Sequence, residues 1–244
     1  MRNRFVSGLV GVAAAGMVAF AVGCTHTRAP DASVAAKLVG EPSGGQKALA
    51  LLKEGNKRFL EGQAEAPATD AETIRIAAEQ GQRPFVTILT CSDSRVPVER
   101  VFDRGFGEVF VVRVAGNVTA QHETGSVEYS LLALKVPLLV VMGHTKCGAV
   151  QAACAGKNVS PNIDSFLASI GPAVRRVRAE HPELAGDALE AAVTEENIRQ
   201  TLHELYVTSP EIREKVSKGE VEVALAVVDI ATGSVRWLGN VPKP

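Results

Sequence analysis

Short apolar runs rich in β-branched residues alternate with stretches of helical periodicity along most of the chain. The runs predict strands at 85–90, 108–114, 138–143, 221–230 and 235–238. The stretches between them predict helices at 46–60, 124–135, 148–155, 165–178 and 184–206. Strands that alternate with helices imply right-handed crossovers and a parallel sheet, whereas the turn at 231–234 makes the last two strands antiparallel. We therefore expect an α/β fold with a parallel-core sheet of about four strands, an antiparallel edge strand and covering helices.

The first 45 residues differ from the rest of the chain. Arg2 and Arg4 precede an uncharged run from Phe5 to Gly23 that ends at Cys24, which is the layout of a signal peptide. The small residues before Cys24 resemble a bacterial lipobox, so we predict cleavage before Cys24 and lipidation of that cysteine. A retained membrane-spanning helix is the alternative, because the run approaches the roughly 20 residues that a bilayer requires. The predicted organisation is a signal peptide at 1–23, a flexible tether at 24–45 and one folded domain at 46–244.

These features predict a location outside the cytoplasm. We expect a periplasmic lipoprotein that touches the membrane only through its lipid. Thr25 follows Cys24 where an acidic residue would favour retention in the inner membrane, so the outer membrane is favoured.

Composition narrows the classes of partner. The chain carries 26 basic and 27 acidic residues for a formal net charge of -1, so no overall field attracts nucleic acid. Aromatic residues make up only 5% of the chain, which does not suit a platform for stacking bases. We expect small-molecule substrates or other protein subunits as partners, and no nucleic acid.

Two polar clusters each follow a predicted strand. The first is Cys91-Ser92-Asp93-Ser94-Arg95, and the second is His144-Thr145-Lys146-Cys147. Because functional groups gather at the carboxyl ends of parallel strands, the two clusters can meet. Two thiolates and one imidazole match Zn²⁺ and leave its fourth position open. A disulfide between Cys91 and Cys147 is the alternative in an oxidising compartment.

Asp93 and Arg95, two residues apart in one loop, can form a carboxylate–guanidinium pair. Asp93 then has two possible partners, because its carboxylate can accept hydrogen bonds from Arg95 or can ligate the metal. In the first arrangement the metal stays open to water. A zinc-bound water loses its proton near neutral pH and becomes a strong nucleophile for an electrophilic carbon.

The segments Cys91–Pro97 and Gly143–Gly148 resemble the two signature motifs of β-class carbonic anhydrases, and the similarity extends from about Gln46 to Leu238. The resemblance implies that Cys91, His144 and Cys147 bind one Zn²⁺ per subunit and that Asp93 and Arg95 form a catalytic dyad. It also implies reversible hydration of carbon dioxide to bicarbonate and a proton, by way of zinc-bound hydroxide.

The resemblance further implies a substrate pocket and an assembly. Its pocket residues are Gln82, Phe110, Ala115, Gly116 and Tyr129, some of them contributed across a dimer interface. We expect a homodimer or homotetramer. Ile88 stands where some bacterial members carry a Trp of a non-catalytic bicarbonate site. The resemblance therefore implies the subtype in which Asp93 pairs with Arg95 at neutral pH, with ligation by Asp93 left open at lower pH.

Several alternatives stay open at this point. A hydrolase of carbon disulfide or carbonyl sulfide could use the same ligands, and a non-catalytic zinc-binding lipoprotein could hold the metal without chemistry. Cys154 is interpreted as part of the core. The remaining histidines are interpreted as surface residues, namely His26, His122, His181 and His203.

Overall fold

A five-stranded sheet forms the centre of the fold in the computed structural model, which describes residues 44–244. The strands are β1 (Val86–Thr90), β2 (Val109–Arg113), β3 (Leu138–His144), β4 (Glu222–Val228) and β5 (Val235–Leu238). Their order is β2-β1-β3-β4-β5. The first four strands are parallel, and β5 pairs antiparallel with β4. The predicted sheet is confirmed, including its antiparallel edge strand.

Eight α-helices surround the sheet in the described part of the chain. They are α1 (Gly45–Leu60), α2 (Ala71–Gln80), α3 (Val98–Val101), α4 (Gln121–Glu128), α5 (Gly148–Cys154), α6 (Pro161–Glu180), α7 (Gly186–Thr208) and α8 (Pro210–Ser217). A 3₁₀ turn spans Ala115–Asn117, and a π-helical turn at Tyr129–Ala133 continues α4. The predicted helix at 124–135 is therefore α4 together with this π-helical turn.

Three helices were not predicted from the sequence, namely α2, α3 and α8. Each is short, and α8 begins at Pro210. Proline favours the first turn of a helix because its missing N–H is not needed there, and the Ser209 side chain caps this helix by accepting from Ile212 N. Pro172 lies inside α6, within the predicted helix at 165–178.

Two apolar layers cover the two faces of the sheet. Strands β1 and β3 are buried at every position, which explains their continuous apolar sequences. Successive side chains alternate between faces. One face packs Leu89 and Val141 against Ile198 and Leu202 of α7, and the other packs buried residues of β1 and β3 against α1 and α3.

Helix α1 docks against the main body. Ala48 and Leu52 are fully buried in the second apolar layer. The Asn56 amide donates to Val101 O and Gly233 O. These contacts tie the start of the described chain to the sheet.

The predicted signal peptide, Cys24, His26 and nearly all of the predicted tether lie outside the described residues. The final residue of that tether, Gly45, already belongs to α1. Between residues 44 and 244, none of the helices combines the length and apolar character that crossing a membrane would require.

Candidate metal centre

Cys91, His144 and Cys147 converge at the carboxyl edge of the sheet. One potential ligand atom from each residue lies within 4.8 Å of the other two, and all three residues are buried. Strands β1 and β3 are parallel neighbours whose register pairs Thr90 with Met142, so Cys91 follows β1 next to the end of β3, where His144 is the last residue. Cys147 follows at the position that caps the N-terminus of α5. Two segments far apart in sequence therefore supply one compact donor set.

The orientation of the His144 ring leaves one nitrogen without a partner. Nδ1 lies 2.9 Å from Thr145 O and donates to it, which places the lone pair on Nε2. Nε2 is buried and has no hydrogen-bond partner in the described part of the chain. Thr145 is itself fixed, because its hydroxyl lies 3.3 Å from Asp229 Oδ1 and accepts from Ile230 N at 3.1 Å. A fixed, unpaired nitrogen beside two sulfurs suits a bound cation.

The side chains of Cys91 and Cys147 are hydrogen-bonded to each other. Hydrogen bonding from the Cys147 thiol lowers the pKa of Cys91 to about 4, against the effect of burial, and the backbone amides of Asp93 and Gly116 lower it further. The same hydrogen bond raises the pKa of Cys147, and burial raises it further. Cys91 and Cys147 are free thiols, so the disulfide alternative does not describe this structure. When a thiol is hydrogen-bonded to a thiolate, loss of one proton gives the two thiolates that a divalent metal binds.

Asp93 is held by Arg95 beside the three potential ligands. Its Oδ1 accepts from Arg95 Nε at 2.9 Å, and its Oδ2 accepts from Arg95 Nη2 at 2.7 Å. The Arg95 guanidinium holds the pKa of the Asp93 carboxyl well below its usual range. Oδ2 lies 3.8 Å from His144 Nε2, so the carboxylate borders the cluster. The structure thus has Asp93 paired with Arg95, and the group of three potential ligands does not include Asp93.

Arg113, at the end of β2, is a residue that sequence reasoning did not single out. Its Nε donates to Cys91 O at 3.0 Å, and its Nη2 donates to Asp93 O at 2.7 Å. One guanidinium therefore fixes the backbone of the loop that carries a potential ligand and the carboxylate. The signal that could have identified it is its position at the carboxyl end of a predicted strand, on the same edge as Cys91.

The residues predicted for the substrate pocket lie in three places. Gly116 borders the cluster, since its N–H donates to Cys91 Sγ at 3.3 Å, and Ala115 precedes it in the same turn. Phe110 and Tyr129 form a ring pair with centroids 6.1 Å apart and line a groove of about 800 Å³ with Thr119, Gln121 and Glu204. Gln82 is exposed in the loop before β1, at the opposite end of that strand from Cys91. Gln82, Phe110 and Tyr129 are therefore separated from the cluster of their own chain.

The side chains interpreted as bystanders stay apart from the cluster. His122, His181 and His203 are exposed, as predicted. Cys154 is partly buried and packs against the apolar residues around Cys91 and Cys147, in agreement with a role in the core.

Comparisons with known proteins agree with this fold and this donor set. The family model described as "Carbonic anhydrase" matches residues 86–235. A carbonic anhydrase of Mycolicibacterium smegmatis is 34% identical over 189 residues, covering 76% of this chain and 89% of the relative. Carbonic anhydrase 2 of Mycobacterium tuberculosis is 36% identical over 174 residues, covering 70% and 82%.

The structural comparison specifies the class. The crystal structure of the β-carbonic anhydrase CafA of Aspergillus fumigatus superposes with a TM-score of 0.63 at 28% identity, covering 82% of this chain and 92% of that one. Sequence family, sheet topology and the Cys-His-Cys cluster point in the same direction. The chain belongs to the β-class carbonic anhydrases.

Proposed function

We propose that this chain catalyses the reversible hydration of carbon dioxide to bicarbonate and a proton, using one Zn²⁺ per subunit held by Cys91, His144 and Cys147. The observation that carries the proposal is the buried set of three potential ligands bordered by the Asp93–Arg95 pair. Membership in an enzyme family favours this reaction over a non-catalytic zinc-binding lipoprotein.

The donor set fits zinc on chemical grounds. Two sulfurs and one imidazole form a borderline-soft set, and the unpaired Nε2 of His144 offers the lone pair that a cation needs. Three protein ligands are typical of catalytic zinc sites, whereas structural sites have four. When bound, zinc would supply a Lewis acid that brings the pKa of a water molecule close to neutral pH.

The protein residues then position the reacting groups. Arg95 keeps Asp93 anionic, so the carboxylate accepts a hydrogen bond from water at the site and directs the oxygen lone pair toward carbon dioxide. An anionic carboxylate also repels ligands that have no proton to donate. Arg95 Nη2 lies 3.3 Å from Lys146 O, which links the loop of Asp93 to the loop of His144 and Cys147.

Stopped-flow hydration of carbon dioxide tests the proposal. The zinc-loaded protein should be active, and Asp93→Ala should retain zinc but lose roughly 100- to 10,000-fold in kcat/KM. Asp164→Ala is the matched control, because Asp164 lies in the first turn of α6 and its carboxylate accepts a local hydrogen bond from Val159 N. Hydration by the zinc-loaded wild type no faster than in buffer would refute the proposal. Hydrogen sulfide release from carbonyl sulfide or carbon disulfide in the same preparation would favour the alternative hydrolase.

We infer that the active form is a homodimer or homotetramer. Phe110 and Tyr129 line an open groove, and Tyr129 is 52% exposed. Phe110 pairs with Thr87 in the sheet, four residues before Cys91, which puts it roughly 13 Å along the strands from the edge of the cluster. These residues could join a substrate pocket only in contact with a second copy. A fully active monomer in light scattering, at the concentration used for the assay, would contradict this inference.

We also propose that the chain is exported and anchored by lipid on Cys24. In this scheme residues 1–23 are removed, 24–45 form a tether and 46–244 form the catalytic domain, in a periplasmic lipoprotein of the outer membrane. The sequence around Cys24 supports the proposal. Cys24→Ser should move the protein from the membrane fraction to the soluble fraction. An unmodified Cys24 in mass spectrometry of the membrane fraction would contradict lipidation.

A further inference from the structure

Two buried polar side chains of α7 hold the turn Ala115–Asn117. Asn197 Nδ2 donates to Gly116 O at 2.8 Å, and Thr201 Oγ1 donates to Asn117 O at 3.0 Å. Asn197 and Thr201 are only 1% and 2% exposed. They belong to the buried side of α7, where polar groups cost stability unless they are hydrogen-bonded.

The same turn contacts a potential metal ligand from its other side. Gly116 N donates to Cys91 Sγ at 3.3 Å, while the Gly116 carbonyl is held by Asn197. Gly116 and Asn117 both have left-handed backbone conformations, with φ of 72° and 44°. Such a conformation is uncommon for a residue other than glycine, so the turn needs support from its surroundings. Asn197 and Thr201 supply that support, because they donate hydrogen bonds to the consecutive carbonyls of Gly116 and Asn117.

The hydrogen bonding of the two amides is incomplete. Within residues 44–244, Asn197 Oδ1 and Asn117 Nδ2 are buried side-chain atoms without a hydrogen-bond partner. Buried polar atoms are normally paired. Stability alone poorly explains a buried polar side chain that leaves one of its atoms unpaired. The hydrogen bond that Asn197 does make is directed to the turn beside Cys91.

We propose that Asn197 and Thr201 are positioning residues of the metal centre, which hold the turn so that the Gly116 amide donates to the Cys91 sulfur. This inference rests on the proposed zinc function. A hydrogen bond to a thiolate ligand withdraws charge from the sulfur and fixes its direction, and outer residues of this kind typically affect metal affinity roughly 10- to 100-fold.

The test compares isosteric substitutions on one helix. Thr201→Val removes the hydroxyl that holds the turn, whereas Thr194→Val removes a buried hydroxyl that donates to Glu190 O within α7. Thr201→Ser restores the hydroxyl, and Asn197→Leu removes the second bond to the turn. The measurements are the zinc dissociation constant, by competition with a chromophoric chelator, and the thiolate-to-cobalt charge-transfer absorption of the cobalt-substituted protein.

We expect Thr201→Val and Asn197→Leu to bind zinc roughly tenfold more weakly and to shift the charge-transfer band. Thr194→Val and Thr201→Ser should match the wild type. Wild-type affinity and an unmoved band in both Thr201→Val and Asn197→Leu would overturn the proposal, and so would an equal loss in Thr194→Val. If Asn197→Leu does not fold, the three threonine variants decide the question.

The outcome is separable from that of the proposed reaction. A wild type that binds cobalt through its thiolates but does not hydrate carbon dioxide would refute the reaction and leave the positioning role standing. A wild type without a thiolate-to-cobalt band would refute both.

Discussion

Gly116, beside the cluster of Cys91, His144 and Cys147, has both a left-handed backbone conformation and closely packed neighbours. Its φ is +72°, and a Cβ added there would lie 2.8 Å from Ile170 Cδ1 and 3.1 Å from Ala149 Cβ. Ile170 is fully buried, so its end cannot turn toward solvent. We therefore predict that Gly116→Ala destabilises the fold through two separate terms, one conformational and one steric.

Gly156 offers a matched control for the conformational term. It also has a left-handed backbone, with φ of +62°, but nothing lies within 4 Å of a Cβ added there. Gly156→Ala should cost about 1–2 kcal/mol from its conformation alone. Gly116→Ala should add roughly 1–3 kcal/mol for overpacking, for a total of roughly 2–5 kcal/mol.

Urea unfolding followed by far-ultraviolet circular dichroism measures both free energies at one protein concentration. Ile170→Val provides a second check, because it removes the Cδ1 atom nearest to the added Cβ. The double variant Gly116→Ala/Ile170→Val should be more stable than the sum of the single effects implies. If Gly116→Ala costs no more than Gly156→Ala, within an uncertainty of about 0.5 kcal/mol, the packing argument is wrong.

Two further predictions concern charged groups. Burial acts to raise the pKa of the Asp103 carboxyl, but hydrogen bonds from Arg58 and from the Glu65 and Ala66 amides outweigh it and lower that pKa. A carboxyl whose pKa is lower in the folded state stabilises the fold above its unfolded pKa of about 4. The free energy of unfolding of the wild type should therefore exceed that of Asp103→Asn by about 2 kcal/mol at pH 7, and the difference should shrink as the pH falls through the folded pKa. A difference that does not change with pH in urea unfolding would contradict this. Arg113→Lys should lower the rate of carbon dioxide hydration by roughly tenfold, because one ammonium group cannot bridge Cys91 O and Asp93 O as the guanidinium does. The control Arg213→Lys, at an exposed position on α8, should have no effect. Equal stopped-flow rates for Arg113→Lys and the wild type would show that the bridge is dispensable.

The strands were predictable because burial on both faces of β1 and β3 leaves continuous apolar runs, and the donor set was predictable because its residues follow those runs directly. Other features of the structure have no comparable pattern in the sequence. Helix α8 begins at a proline, which sequence rules associate equally with the end of a helix. Asn197 and Thr201 are polar residues in a long helix, and their burial depends on how that helix packs on the turn near Cys91. Phe110 and Tyr129 were predicted by resemblance alone, and within one chain they line a separate groove.

The register of the sheet brings the donor set together. Cys91 follows β1 and His144 ends β3, so most of the chain between these two strands separates the two residues in sequence. Thr90 pairs with Met142, so Cys91, the first residue after β1, lies beside the end of β3 that carries His144. Neighbouring strands are roughly 4.8 Å apart, which is the scale of the ligand separations in the cluster. A slip of one residue would turn Ile88 and Leu89 to the wrong apolar layers and would move Cys91 out of place. The apolar side chains that fix this register therefore also determine the geometry of the metal centre.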